Sequence, residues 1–247
     1  MKKIVIDPRV IKHLGRDLIT SPEVAVIELV KNSIDAKAKH INLRLYNNYS
    51  HYESLPNYVR AAIPKQYLDL PMLIVEDDGR GMTNAALDDG FLKIATDIKT
   101  NEEGTLGEKG IGRLATQRLG TALLVETSSV EESQTSYVFI DWNDVINGVE
   151  EVPNFEGPAT PHHTRLIIFN VNLEDYIDNA MQFEQLSLDN SNVQVQINRE
   201  LKSALNFLIS PFDNSKETLP IPQLRFYFDD YEIDITFPYD TLSLAES

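Results

Sequence analysis

Apolar residues recur along this chain in two rhythms. Between residues 21 and 38 they fall at three- and four-residue steps, at Val24, Ile27, Val30 and Ile34, which predicts a helix with that face on a core. Ser21 suits the N-cap, Pro22 the first helical position and Glu23 the positive end of the helix dipole. Glu28, Asn32 and Asp35 are spaced by four and then three, so they share another face. That face sets a carboxylate, an amide and a second carboxylate in a row; the plain alternative is a solvated polar stripe. A helix is also predicted over residues 7–18, with Asp7 as N-cap, Pro8 behind it, and Val10, Ile11, Leu14 and Leu18 as its apolar face.

The second rhythm has period two. Residues 41–46 alternate as a half-buried strand, and 72–75 form a compact apolar run suited to a buried one. Further strands are predicted at 3–6, 122–128, 135–142 and 164–171, with a hairpin turn around 131–134. Residues 47–70 lose the pattern and read as an insertion or long hairpin loop, with a short helix near 57–63. Residues 84–94 are weakly helical, and 95–107 read as a loop. A helix opens at the glycine-rich stretch 107–112 and stops at Gly120. Residues 144–163, with Pro153, Pro158 and Pro161, read as loop. Beyond 172 a helix over 198–209 and a hairpin of 224–228 with 231–237 are predicted. Residues 1–171 are expected to form one domain. Residues 172–247 are expected to be a linker helix and the start of a second, transducer-like domain, cut short.

Composition narrows the partners. Of 247 residues, 42% are hydrophobic, enough for a proper core. The net charge of −16 argues against non-specific binding of a nucleic-acid backbone, so nucleic acid is not supported as a partner. There is no cysteine, which excludes disulfides and cysteine nucleophiles or metal sites. No apolar run is long enough for a signal peptide or a membrane span, and a cytoplasmic location is expected.

Three short stretches carry candidate chemistry. In Asp77-Asp78-Gly79-Arg80-Gly81-Met82 a carboxylate ends a strand and glycines follow. An aspartate there can accept from an exocyclic amine such as adenine's, while glycines let the base approach the backbone; an ordinary turn is the alternative. Gly107-Glu108-Lys109-Gly110-Ile111-Gly112 leads into a helix and offers backbone N–H groups to an anion. It lacks the Gly-Lys-Ser/Thr ending of a Walker A loop, and its glycine spacing reverses the dinucleotide fingerprint. Lys109 and Arg113 add phosphate contacts or are plain surface charge. Thr164 precedes an apolar strand and offers a hydroxyl to a base.

Taken together and in order, these pieces resemble the GHKL ATPases: gyrase-type topoisomerases, heat-shock chaperones, histidine kinases and MutL-type repair proteins. Glu28-Leu29-Val30-Lys31-Asn32-Ser33-Ile34-Asp35-Ala36 resembles the N-box of that family. Asp77-x-Gly79-x-Gly81-Met82 resembles its second motif, Gly107-x-x-Gly110-x-Gly112 its third, and Thr164 stands where the fourth places a threonine. The likeness covers residues 1–171 and looks closest to MORC-like or bacterial chaperone-like members.

The resemblance implies an α+β two-layer sandwich, the Bergerat fold: a mixed, mostly antiparallel sheet with helices on one face. It implies ATP and Mg²⁺ as cofactors. Glu28 would orient and deprotonate the attacking water, and Asn32 would ligand Mg²⁺. Asp35 and Ala36 would line the pocket, with Gly79, Gly81 and Met82 around the base. Asp77 would read the adenine amine with support from Thr164. Gly107, Lys109, Gly110, Ile111, Gly112 and Arg113 would hold the phosphates, with Lys99 from a lid. The expected function is an ATP-hydrolysing module whose lid closure and homodimerisation switch a larger protein with an unknown client. Two other readings stay open: a histidine-kinase catalytic domain, and a nucleotide-sensing interaction module without turnover.

Overall fold

The computed structural model describes residues 1–6, 21–47, 55–94, 115–178, 196–209 and 222–235. In chain order the elements are β1 (Lys2–Lys3), β2 (Val5–Ile6), α1 (Pro22–Asp35), β3 (His40–Tyr46), α2 (Asn57–Arg60), β4 (Met72–Asp77) and β5 (Lys93–Ile94). They continue with α3 (Ala115–Leu119), β6 (Ala122–Ser128), β7 (Gln134–Asp141), α4 (Trp142–Ile146), β8 (Glu151–Val152), β9 (Asn154–Pro158) and β10 (His163–Phe169). The last are β11 (Ile177–Asp178), β12 (Gln196–Ile197), α5 (Arg199–Ile209), β13 (Gln223–Phe228) and β14 (Tyr231–Ile233). A π-helical turn at Ala86–Phe91 takes the place of the weak helix expected over 84–94.

One eight-stranded sheet organises the molecule, in the order β14-β13-β3-β4-β10-β6-β7-β9. Every neighbouring pair is antiparallel except β13 with β3. The expected α+β architecture is therefore observed. Alternation along β4 shows how the two faces are used. Leu73 and Val75 join the core beneath α1, while Met72 and Ile74 join a second cluster on the opposite face. A strand buried on both faces loses the hydrophobic–polar alternation and reads as a continuous apolar run.

On the first face α1 packs against the sheet, with α3 and α5 beside it. Its buried residues are Pro22, Ala25, Val26, Leu29, Val30 and Ser33. The expected apolar stripe is thus rotated: Val30 is buried, Ile27 and Ile34 are half-buried, and Val24 is 43% exposed. Small residues at 25 and 33 let the helix lie close on the sheet, which moves the line of contact toward them. On the opposite face residues 55–70 act as a cover. Leu55, Val59, Ile63 and Tyr67 pack on Met72, Ile74, Leu124, Phe139 and Phe169. Tyr67 Oη also donates to Asp141 Oδ2 at 2.6 Å.

Two further expectations change. Residues 144–163 are not loop throughout: α4 and β8 occupy part, and β9 adds the sheet's outer strand beside β7. The expected domain boundary near 171 does not separate the described residues after it. Strand β13 runs parallel to β3 in the same sheet, and Leu201, Leu205, Leu224 and Phe226 belong to the core under α1. The alternating residues of β13 supply a face that β3, otherwise a bare edge, needs for its own burial.

Candidate functional site

Helix α1 begins as its residues dictate. Ser21 is extended and its Oγ accepts from Val24 N at 3.5 Å, with Pro22 in the first turn. It ends through Lys37, whose φ of 63° turns the chain, so that Ala38 N can donate to Ser33 O at 3.1 Å. Glu28, Asn32 and Asp35 share one side of α1, as their spacing predicts. Glu28 is partly exposed and accepts from Lys31 Nζ at 2.8 Å, while Asn32 and Asp35 stand in solvent.

The Asp77–Met82 turn is bound to the end of that helix by many short contacts. Asp77, 9% exposed, accepts from Ser33 Oγ at 2.8 Å on Oδ2 and from Gly79 N at 2.9 Å on Oδ1. Burial pushes its carboxyl above the ordinary range, against the pull of those two hydrogen bonds. Arg80 N donates to Ala36 O at 2.9 Å, and Asp78 Oδ1 accepts from the backbone N–H groups of Lys39 and His40 at 2.7 and 2.8 Å. A Cβ at Gly79 would come within 2.8 Å of Ala36 Cβ and 2.7 Å of Asp77 Oδ1, so only glycine allows this approach. Gly81 has a φ of 67°, and a Cβ there would strike the Ser128 carbonyl.

Thr164 lies directly opposite Asp77 on β10, and Thr127 of β6 lies on its other side. Ser136 of β7 is opposite Thr127 in turn. These four side chains make a polar row across β4, β10, β6 and β7, on the face that α1 covers. The row anchors the turn: Met82 N donates to Thr127 Oγ1 at 2.9 Å, and Ser136 Oγ donates to Asn84 Oδ1 at 3.1 Å. Ser33, Thr127 and Ser136 were not among the sequence candidates. Ser33 stands inside the stretch 28–36 without a role of its own there, and the only sequence signal of Thr127 and Ser136 is a polar residue within an apolar element, which names no partner.

On the opposite face, Glu126 accepts from Arg165 Nε at 2.9 Å and meets His163 Nε2 at 3.1 Å. Burial opposes ionisation of Glu126, but His163 and Arg165 together hold its carboxyl below the usual range. Burial likewise works against the charged His163 ring, yet Glu126 and the Pro161 carbonyl raise it. The neighbouring His162 is exposed.

The structure thus brings Glu28, Asn32, Asp35, Ala36, Asp77, Gly79, Gly81, Met82 and Thr164 into one region. Lys99, Gly107, Lys109, Gly110, Ile111, Gly112 and Arg113 lie outside the described residues. The sequence model of the histidine kinase-, DNA gyrase B-, and HSP90-like ATPases matches residues 19–165. The chain belongs to that ATPase family. As a GHKL member it is an ATP-binding module.

Among solved structures the chain is similar to the N-terminal domain of a DNA repair protein. The identity is 17%, the TM-score 0.49, and the match covers 89% of this chain and 52% of that one. It is also similar to the MutL ATPase domain of Aquifex aeolicus complexed with ADP. There the identity is 14%, the TM-score 0.45, and the coverage 87% and 63%. The chain therefore spans between half and two thirds of the length of these structures. No curated protein matches it. Among the described residues no helix of this GHKL chain is long and apolar enough to cross a membrane.

Proposed function

We propose that this chain binds ATP with Mg²⁺ along the exposed edge of α1 and hydrolyses it, with Glu28 as the base. The observation that carries this reading is the pairing of one helix edge with one strand end. Glu28 and Asn32 stand one turn apart on α1, and Ser33 of the same helix holds Asp77. A base, a metal ligand and a base-reading carboxylate are thereby fixed in one frame, and phosphoryl transfer depends mainly on such positioning.

The donor set suits the metal. Asn32 offers a neutral amide oxygen, and its side chain makes no hydrogen bond among the described residues. Among the described residues no group of three or more His, Asp or Glu side chains could hold an ion. Mg²⁺ commonly takes one or two protein oxygens and completes its shell with phosphate and water, so Asn32 alone fits. When bound, the ion would neutralise phosphate charge. Glu28 would take a proton from the water that attacks the γ-phosphorus, and ADP and phosphate would leave. Asp35 and Ala36 would form the pocket wall, and residues 107–113 with Lys99 would wrap the phosphates. Closure of that segment and homodimerisation would switch a larger cytoplasmic, chaperone-like or MORC-like protein.

The test is phosphate release from Mg·ATP by the full chain and by Glu28→Ala, beside calorimetric ATP titration of both. The expected result is turnover lost and ATP binding kept in the variant. Undiminished turnover in Glu28→Ala overturns the assignment of the base. A phosphohistidine formed from labelled ATP would instead support a kinase-type transfer.

A further inference from the structure

Thr127 belongs to no motif, yet it is 1% exposed and its hydroxyl meets three partners. Oγ1 lies 3.0 Å from the His163 carbonyl oxygen, 2.9 Å from Met82 N and 3.3 Å from Thr164 Oγ1. A hydroxyl has one proton and two lone pairs, so its partners can be assigned in turn. The carbonyl can only accept and is the nearer of the two possible acceptors, so it takes the Thr127 proton. The Met82 N–H can only donate and fills one lone pair. One lone pair is left, facing Thr164, whose proton is the one that can fill it.

The consequence falls on the pocket. With its proton committed to Thr127, Thr164 can turn only lone pairs toward a bound base. Its cross-strand neighbour Asp77 already accepts from Ser33 Oγ and Gly79 N, and its remaining capacity is also for accepting. Two adjacent groups then form a wall of acceptors. Such a wall fits a purine with an exocyclic amine at position 6 and opposes one with a carbonyl there, because two facing acceptors leave buried groups unpaired.

We propose that Thr127 is a positioning residue that sets the base preference of the nucleotide site by fixing the direction of the Thr164 hydroxyl. This rests on the reading that Asp77 and Thr164 face the base. It assigns adenine selectivity partly to a residue that never touches the nucleotide.

Calorimetric titration of the full chain with Mg·ATP and Mg·ITP tests it. Inosine triphosphate exchanges the 6-amine for a carbonyl and turns N1 from an acceptor into an N–H donor, with the rest of the nucleotide unchanged. The wild type and Thr127→Ser, which keeps the hydroxyl, are expected to prefer ATP to the same degree. Thr127→Val frees the Thr164 proton to swing into the pocket, and the ATP-to-ITP preference should fall by about tenfold. Equal weakening of both nucleotides in Thr127→Val would mean a merely structural role and overturns the proposal. Should that variant not fold, Thr164→Val reads the same wall directly: an unchanged preference there overturns the proposal as well. Asp77→Asn separates the two levels. If it leaves ATP affinity intact, the base-site reading itself fails. If it abolishes binding while Thr127→Val keeps the preference, only the role of Thr127 fails.

Discussion

Ser33 Oγ donates to Asp77 Oδ2 at 2.8 Å and thereby joins the N-box helix to the strand end that faces the candidate pocket. The two residues are 44 positions apart in sequence and both are buried. The helix that carries Glu28 and Asn32 is therefore tied directly to the carboxylate read as the base contact.

Loss of this bond should weaken ATP binding in a pH-dependent way. Ionised Asp77 accepts from an exocyclic amine more strongly than the protonated carboxyl does, and burial already raises its carboxyl while Ser33 pulls it down. Ser33→Ala removes that pull, so the acid limb of ATP affinity should move to higher pH. The loss at mildly acidic pH should reach about tenfold and narrow as the pH rises. Titrations of both proteins across the acid range check this; a parallel offset at every pH would dissociate Ser33 from the ionisation of Asp77.

Asn32 makes a separate prediction about the metal. Mg²⁺ should strengthen ATP binding by the wild type, and Asn32→Ala should lose about tenfold or more of that gain. In excess EDTA the two proteins should bind ATP alike. A variant that differs as much without metal as with it would show that Asn32 serves the nucleotide or the fold instead.

Glycines 81 and 148 form a natural contrast. Both have positive φ, at 67° and 93°, but a Cβ at Gly148 meets nothing within 4 Å while one at Gly81 meets the Ser128 carbonyl. Gly148→Ala should cost about 1 kcal/mol of stability for the backbone conformation alone. Gly81→Ala should cost about 2–4 kcal/mol and displace Met82 from Thr127. Urea unfolding of the two variants gives the comparison; equal costs would show that the turn yields without resistance.

The Glu126 cluster should matter for stability rather than turnover. Its lowered carboxyl contributes stability that is present above the ordinary glutamate value and lost as pH falls through the lowered one. The raised His163 contributes stability that is complete below the ordinary imidazole value and lost as pH rises through the raised one. Glu126→Gln should therefore cost about 1–3 kcal/mol, most between those two ordinary values, with the deficit narrowing on both sides. Denaturant midpoints measured across pH test it, and a pH-independent deficit would count against the ionic account.

Much of this protein was determined by local sequence. The Ser21 cap, Pro22 and the spacing of Glu28, Asn32 and Asp35 specify a helix and one of its faces, because helical periodicity is a property of neighbours along the chain. The same holds for the strands Ala122–Ser128 and His163–Phe169, expected over 122–128 and 164–171, and for the glycine turn that follows Asp77, where close approach to Ala36 admits no side chain. Only the tertiary structure decided which residues complete the site. The row Asp77, Thr164, Thr127, Ser136 exists through the register of four strands, and register is set by pairings between distant segments. The cover of residues 55–70 on the far face, the parallel seat of β13 beside β3, and the turn of α1 that buries Ser33 and exposes Val24 have the same origin. Each is a choice among surfaces to bury, and a sequence pattern states how much apolar face an element has without stating what will lie against it.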